Sequence, residues 1–303
     1  MMQANINVLH ALSSIRCPFL DTLMLIVTEL GNEILVIAAV CVLYWCVSKN
    51  AAYRLGMAFF ASGMLVQGLK TTLHIARPWV LDPTLKPVKG ALPKATGYSF
   101  PSGHTQGATA LYGFAFAEYK RPWARILSCL LIAAVAFSRM YLGVHTPLDV
   151  VTAIVLTALC IYALEKLSPL LTAGEKHDLA IATTLAALSV GLCIYTLVFF
   201  RLGLSDAQQL RDCLKAGGAG LGFAIGFFVE RRYIRFDTRT NAKWQQAVKL
   251  SVGVAVALLL KSGLKALCSS PLMDFVRYLF TVLWVTVAYP LLFSRVLHRR
   301  STR

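Results

Sequence analysis

The chain has 303 residues, 57% of them hydrophobic and only 15% charged, with a formal net charge of +16. A soluble domain carries about a quarter charged residues, so this composition excludes an ordinary soluble enzyme. So basic a balance would suit a nucleic-acid surface, but the distribution of the charge along the chain argues against that partner.

The first segment, Ile6 to Leu30, is apolar at helical spacing but carries Arg16, Asp21 and Glu29. It reads as an interfacial amphipathic helix occupying residues 1–30, with a tenth span as the alternative. Apolar runs long enough to cross a bilayer follow at about 31–47, 53–74, 102–118, 123–142, 147–164, 179–200, 212–229, 250–268 and 276–296. The expected fold class is therefore all-α, a polytopic membrane helical bundle of about nine transmembrane helices. The start of the chain lacks the charged region, short apolar stretch and small-residue cleavage site of a signal peptide. Most of the eight cysteines lie inside apolar runs, with no C-x-x-C pair. They read as small buried hydrophobes rather than disulfides or a metal site.

Basic residues gather in alternate connections. Lys49 and Arg54 are followed by Lys120, Arg121 and Arg125, then by Lys166 and Lys176. Arg231, Arg232, Arg235, Arg239, Lys243 and Lys249 come next, and Arg295, Arg299, Arg300 and Arg303 close the series, 17 in all. The positive-inside rule assigns these to the cytoplasm. The C-terminus is then cytoplasmic and the N-terminus outside. This accounts for the basic balance without nucleic acid. The run 230–249 reads as a solvated loop, with a lipid-headgroup patch as the alternative.

Three polar clusters interrupt the apolar pattern: Lys70-x6-Arg77-Pro78, Pro101-Ser102-Gly103-His104, and Ser138-Arg139-x5-His145-x3-Asp149. The topology puts all three on the outer face. Lys70 and Arg77 are seven residues apart, so they share a helical face if the helix runs that far, and Pro78 ends it. Pro101 to His104 opens the third span, where unpaired backbone N–H groups and the helix dipole suit an oxyanion. Thr146 fits an N-cap, Pro147 the first helical position, and Asp149 the first turn. The Asp149 carboxylate can then accept a hydrogen bond from His145 Nδ1–H and leave Nε2 free as a nucleophile. His104 is free to act as general acid and then general base. A lone cation or histidine near a helix end usually snorkels to the interface. That reading is preferred for His74. Lys261 and Lys265 read as snorkelling or internally paired, and Glu33 as paired or wetted.

The three clusters closely resemble the type 2 phosphatidic acid phosphatase superfamily, whose pattern is KxxxxxxRP, PSGH and SRxxxxxHxxxD. Every fixed position is matched, over roughly residues 50–165. The resemblance implies a helical membrane core related to that of the haloperoxidases. It also implies metal-independent hydrolysis of a phosphomonoester or diphosphate through a phosphohistidine, with no cofactor. His145 becomes the nucleophile, His104 the acid/base and Asp149 the orienter. Lys70, Arg77, Ser102, Gly103 and Arg139 become the phosphate cradle. Nine spans, an outer N-terminus and the run Arg77 to Asp82 resemble glucose-6-phosphatase within that superfamily, whereas Asp149 follows the lipid phosphatases. Residues 31–170 form the expected phosphatase core, and 171–303 an additional four-helix membrane region without an assigned role. The expected protein is an integral membrane phosphatase, in a bacterial cytoplasmic membrane, acting on a membrane lipid phosphate at the outer face. A small soluble phosphate as substrate and a lipid or anion transporter are the alternatives. Residues 79–100, with Lys86, Lys89 and Lys94, read as a lid or rim of that site.

Overall fold

The computed structural model describes residues 2–171, 175–238, 243–267 and 270–294. Cys268, Arg239 and the C-terminal arginines lie outside these residues, as does the side chain of Lys265, and the readings placed on them stay untested there. Among the described residues the regular structure is helical throughout. The helices are α1 (Met2–Ser14), α2 (Pro18–Glu29), α3 (Glu33–Val42), α4 (Lys49–Leu73), α5 (Pro78–Leu81) and α6 (Gly103–Glu118). They continue with α7 (Pro122–Tyr141), α8 (Pro147–Leu167), α9 (Glu175–Arg201), α10 (Ala207–Val229), α11 (Lys243–Leu267) and α12 (Pro271–Leu283). Wider π-helical turns extend α3 over Leu43–Val47, α10 over Glu230–Ile234 and α12 over Trp284–Ala288.

Each of the nine expected spans coincides with a helix, but fewer qualify as membrane crossings. Six described helices are long and apolar enough: α7, α8, α9, α10, α11 and α12 with their extensions. A seventh arises if α2 and α3, bent by 41°, form one broken span. The shortfall has physical causes. Helix α6 has only 16 residues and rises about 24 Å at 1.5 Å per residue, short of the roughly 30 Å hydrocarbon core. Helix α4 has 25 residues but carries Lys49, Arg54, Gln67 and Lys70. It packs against α6, α8, α9 and α10, and a helix wrapped in protein does not need lipid-grade apolarity.

The N-terminal segment also differs from one continuous amphipathic helix. It breaks at Arg16 and Cys17, with Pro18 at the first position of α2. Helix α2 then lies on α7. Arg16 donates from Nε to the Tyr141 carbonyl at 2.9 Å, and the Tyr141 hydroxyl donates to Asp21 at 2.9 Å. On α1, His10 meets Asp82 of the 79–100 loop at 2.9 Å. The Asp82 carboxyl is held down to about 2, chiefly by the Thr84 hydroxyl and next by His10.

The main apolar core joins the end of α3 to α4, α9, α10 and α12, with Trp45, Tyr53, Phe223, Phe227 and Tyr289 at its centre. Small residues on α10 let α12 approach closely, since a Cβ on Gly218 would fall 2.3 Å from the Phe275 carbonyl oxygen. Many of the basic residues grouped by charge counting gather at one end of the bundle. There Arg54 pairs with Glu118 at 2.7 Å and with Glu165, Lys49 with Glu230 at 2.7 Å, and Arg231 with Asp178 at 2.8 Å. The three polar clusters lie at the other end, where α4 finishes, α6 starts, α7 finishes and α8 starts. Lys261 is internally paired, with Glu33 at 3.1 Å and the Tyr278 ring at 5.4 Å.

Candidate active site

The expected cradle differs from the structure at its first element. Helix α4 stops at Leu73, and His74 adopts the left-handed conformation (φ 49°) with its N–H on the Lys70 carbonyl. Pro78 therefore does not end that helix; it opens the short α5. Lys70 and Arg77 do not share a helical face. They meet because the chain turns back after His74, whose ring packs on Tyr98 at 4.9 Å and Phe199 at 6.0 Å. His74 is thus part of a turn rather than a snorkelling side chain.

The second cluster forms the start of α6. Ser102 is its N-cap, with Oγ accepting from Thr105 N–H at 3.4 Å and from the Thr105 hydroxyl at 3.0 Å. The first N–H groups of a helix have no partner within it, so those of Gly103 and His104 are free to meet an anion. A Cβ on Gly103 would meet nothing within 4 Å; the space above it is open to a ligand. The backbone of His104 is pinned from behind by the α2–α3 break, where a Cβ on Gly31 would lie 2.5 Å from its carbonyl oxygen.

The third cluster turns from α7 into α8 through Gly143, whose positive φ (75°) an L side chain rarely adopts. The α8 start follows the sequence pattern. Thr146 Oγ1 accepts from Asp149 N–H at 3.3 Å, and Asp149 Oδ2 accepts from Thr146 N–H at 2.8 Å, a reciprocal capping box. Asp149 Oδ2 also lies 3.2 Å from His145 Nδ1 and accepts from the Ser99 hydroxyl at 2.5 Å. On the other side, His145 Nε2 is 2.9 Å from Arg77 Nη1. Arginine only donates, so Nε2 must be the accepting, unprotonated nitrogen, and the proton sits on Nδ1 facing Asp149. Burial, then Arg77, Arg139 and Lys70, push the His145 imidazole well below its usual pKa.

These elements enclose a cavity of about 100 Å³ lined by Lys70, Arg77, Gly103, His104, Arg139 and His145. Five of the eight expected site residues are charged or histidine side chains facing this one space. Gly103 opens it. Ser102 and Asp149 stand behind it, as cap and as His145 partner. His104 Nε2 and Arg139 Nε are buried without a protein partner among the described residues, which leaves them available to a ligand. Arg77 also donates to the carbonyls of Thr96 (2.5 Å), Gly97 (3.0 Å) and Val144 (3.0 Å). Lys70 donates to the Tyr98 carbonyl.

Several residues were not singled out in the sequence. Thr28 of α2 accepts from Arg139 Nη1 at 3.0 Å. Ser99 holds Asp149. Gln67, Thr96 and Asp212 line the cavity, and Lys94 of the 79–100 loop does so too while pairing with Glu29. None belongs to a spaced motif, and only Lys94 carried a signal, as a cation of the expected rim.

The family comparison agrees with the motif reading. Residues 51–171 match the PAP2 superfamily, and residues 214–301 match the transmembrane extension of PAP2 superfamily phosphatases. The chain belongs to the PAP2 superfamily. It is an integral membrane protein of that family. An undecaprenyl-diphosphatase, BcrC, of Bacillus subtilis is 29% identical over 50% of this chain and 77% of its own length. An undecaprenyl-diphosphatase of Sulfolobus acidocaldarius is 29% identical over 44% of this chain and 63% of its own. Lipid phosphate phosphatase delta of Arabidopsis thaliana is 33% identical over 28% of this chain and 21% of its own. Among solved structures, Aquifex aeolicus LpxE aligns with 23% identity and a TM-score of 0.48, over 54% of this chain and 95% of that one. A transmembrane PAP2 type phosphatidylglycerolphosphate phosphatase from Bacillus subtilis aligns with 21% identity and a TM-score of 0.48, over 55% of this chain and 86% of that one.

Proposed function

We propose that the protein hydrolyses a lipid phosphate or diphosphate at the outer membrane face through a phosphohistidine on His145. One observation carries the reading: an unprotonated His145 Nε2, backed by Asp149, faces a small cavity shared with His104 and three buried cations. Lys70, Arg77 and Arg139 neutralise the phosphoryl oxygens, and the Gly103 and His104 N–H groups add donors. As the phosphate enters, Arg77 exchanges Nε2 for a phosphoryl oxygen. His104 takes up a proton as the phosphate anion enters; the Nε2 lone pair attacks phosphorus, the ester P–O bond breaks, and His104 gives that proton to the leaving oxygen. Neutral His104 then takes a proton from water, whose oxygen attacks phosphorus and releases phosphate and free His145. Each key donor contributes roughly 3–4 kcal/mol to the transition state.

The undecaprenyl-diphosphatases and the lipid phosphate phosphatase among the relatives support a lipid substrate. Charge counting supports the outer face: basic connections such as Lys49, Arg54 and Arg231 cluster at the end opposite the cavity. The test is phosphate release by purified protein in EDTA, across lipid phosphates, a lipid diphosphate and a sugar phosphate. Activity should persist in EDTA, vanish in His145→Ala and His104→Ala, and favour the lipid esters in kcat/KM. Full activity in His145→Ala would sink the histidine mechanism, and a preference for the sugar phosphate would redirect the substrate to a soluble ester.

A further inference from the structure

We propose that the first two turns of α10, just ahead of the residues that match the transmembrane extension, position the phosphate cradle, with Asp212 as the positioning residue. This rests on the phosphatase reading above. Lys70 lies in the last turn of α4 and Arg77 beyond its end, and a single stretch of α10 touches the surroundings of both. On one side, Gln209 is fully buried. Its amide donates to Gln67 Oε1 at 3.1 Å and to the Thr71 hydroxyl at 3.2 Å. Gln67 and Thr71 flank Lys70, so this contact fixes the turn of α4 that carries the lysine. Cys213, one helical turn on, lies 3.4 Å from the same Thr71 hydroxyl.

On the other side, Asp212 Oδ2 accepts from the Thr96 hydroxyl at 3.2 Å. The Thr96 and Gly97 carbonyls are two of the oxygens that hold the Arg77 guanidinium. Gly97 is squeezed between Arg77 and α10. Its φ is +58°, and a Cβ there would lie 3.2 Å from Gln209 Oε1 and 3.7 Å from Asp212 Oδ2. Asp212 is itself held: its Oδ1 accepts from Lys215 at 2.8 Å and Gln208 at 3.1 Å. A chain of contacts thus runs from Lys215 and Gln208 through Asp212, Thr96 and Arg77 to His145. Asp212 also lines the cavity. A surface appendage would have no reason to put a carboxylate into the phosphate cavity and a buried glutamine beside Lys70.

The test uses the full-length protein in nanodiscs, with Asp212→Ala, Thr96→Val, their double variant and Thr96→Ser. Measured quantities are kcat for the best ester, affinity for inorganic phosphate and Tm. Asp212→Ala and Thr96→Val should each lower kcat about tenfold, and the double variant should be no worse than either alone, because they cut one link. Thr96→Ser keeps the hydroxyl and should recover most of the loss. Inorganic phosphate affinity should fall in the same pattern, with Tm close to wild type. Additive losses, no recovery by serine, or wild-type kcat and phosphate affinity in Asp212→Ala would overturn the proposal. If the wild type hydrolyses no ester, the phosphatase reading fails, while the phosphate-affinity pattern still judges the positioning role.

Discussion

Replacing Asp149 with Asn isolates the charge behind His145. Asp149 is 2% exposed, and its Oδ2 accepts from Thr146 N–H, the Ser99 hydroxyl and His145 Nδ1. An asparagine oxygen can keep all three donors, so the α8 cap survives and the stability cost should be about 1 kcal/mol or less. The chemistry loses more. When Nε2 bonds to phosphorus and Nδ1 keeps its proton, the ring becomes a cation in a site that already holds Arg77, Arg139 and Lys70. Asp149 is the anion in contact with it, 3.2 Å away. At an effective dielectric of ~20, unit charges at that range attract by roughly 5 kcal/mol, which is about a 10³- to 10⁴-fold loss in kcat. Rapid-quench capture of the phosphoenzyme, with kcat and Tm, gives the readout. A kcat within tenfold of wild type at unchanged Tm would refute the counter-charge role.

Acid should destabilise the fold through His145. Its pKa in the folded chain is depressed, so below about pH 6.5 only the unfolded chain takes up this proton, and stability falls by about 1.4 kcal/mol per pH unit. Above that pH the contribution is complete; Tm measured from pH 7 to pH 5 should drop less in His145→Gln than in wild type, and equal slopes would contradict the assignment. Gly103→Ala puts a methyl into the open space of the cavity, so Tm should hold while kcat/KM falls about tenfold; an unchanged kcat/KM would mean the phosphate does not sit over α6. Thr28→Val strips Arg139 of its side-chain partner and should cost about 1–3 kcal/mol, measured by thermal unfolding.

Much of this site was legible because its chemistry is local. The Thr146–Pro147–Asp149 start of α8 follows capping rules that act within four residues, and His145 falls where that pattern leaves it. PSGH likewise announces a helix start. Lys70 and Arg77 were misread for the opposite reason. Nothing in Thr71-Thr72-Leu73-His74 signals a left-handed histidine, and what supports that turn is the ring of Tyr98 and Phe199 from α9. Thr28, Thr96 and Asp212 come from segments far apart in sequence and carry no motif. Among the described residues only six or seven of the nine expected spans meet the length and apolarity of a crossing, because apolar runs do not distinguish a helix bathed in lipid from one such as α4 sheathed by its neighbours.

The shortness of α6 has a consequence for the surrounding bilayer. The candidate site's cavity opens at its first residue, and its far end is tied to Arg54 through Glu118. Sixteen residues rise only about 24 Å, some 6 Å less than the thickness of an average hydrocarbon core. Under the proposed function, a lipid headgroup would meet His145 more readily where the lipid sinks or the membrane thins around the protein. Turnover should then depend on the acyl-chain length of the host lipids, with thin bilayers favouring the reaction and thick ones slowing it.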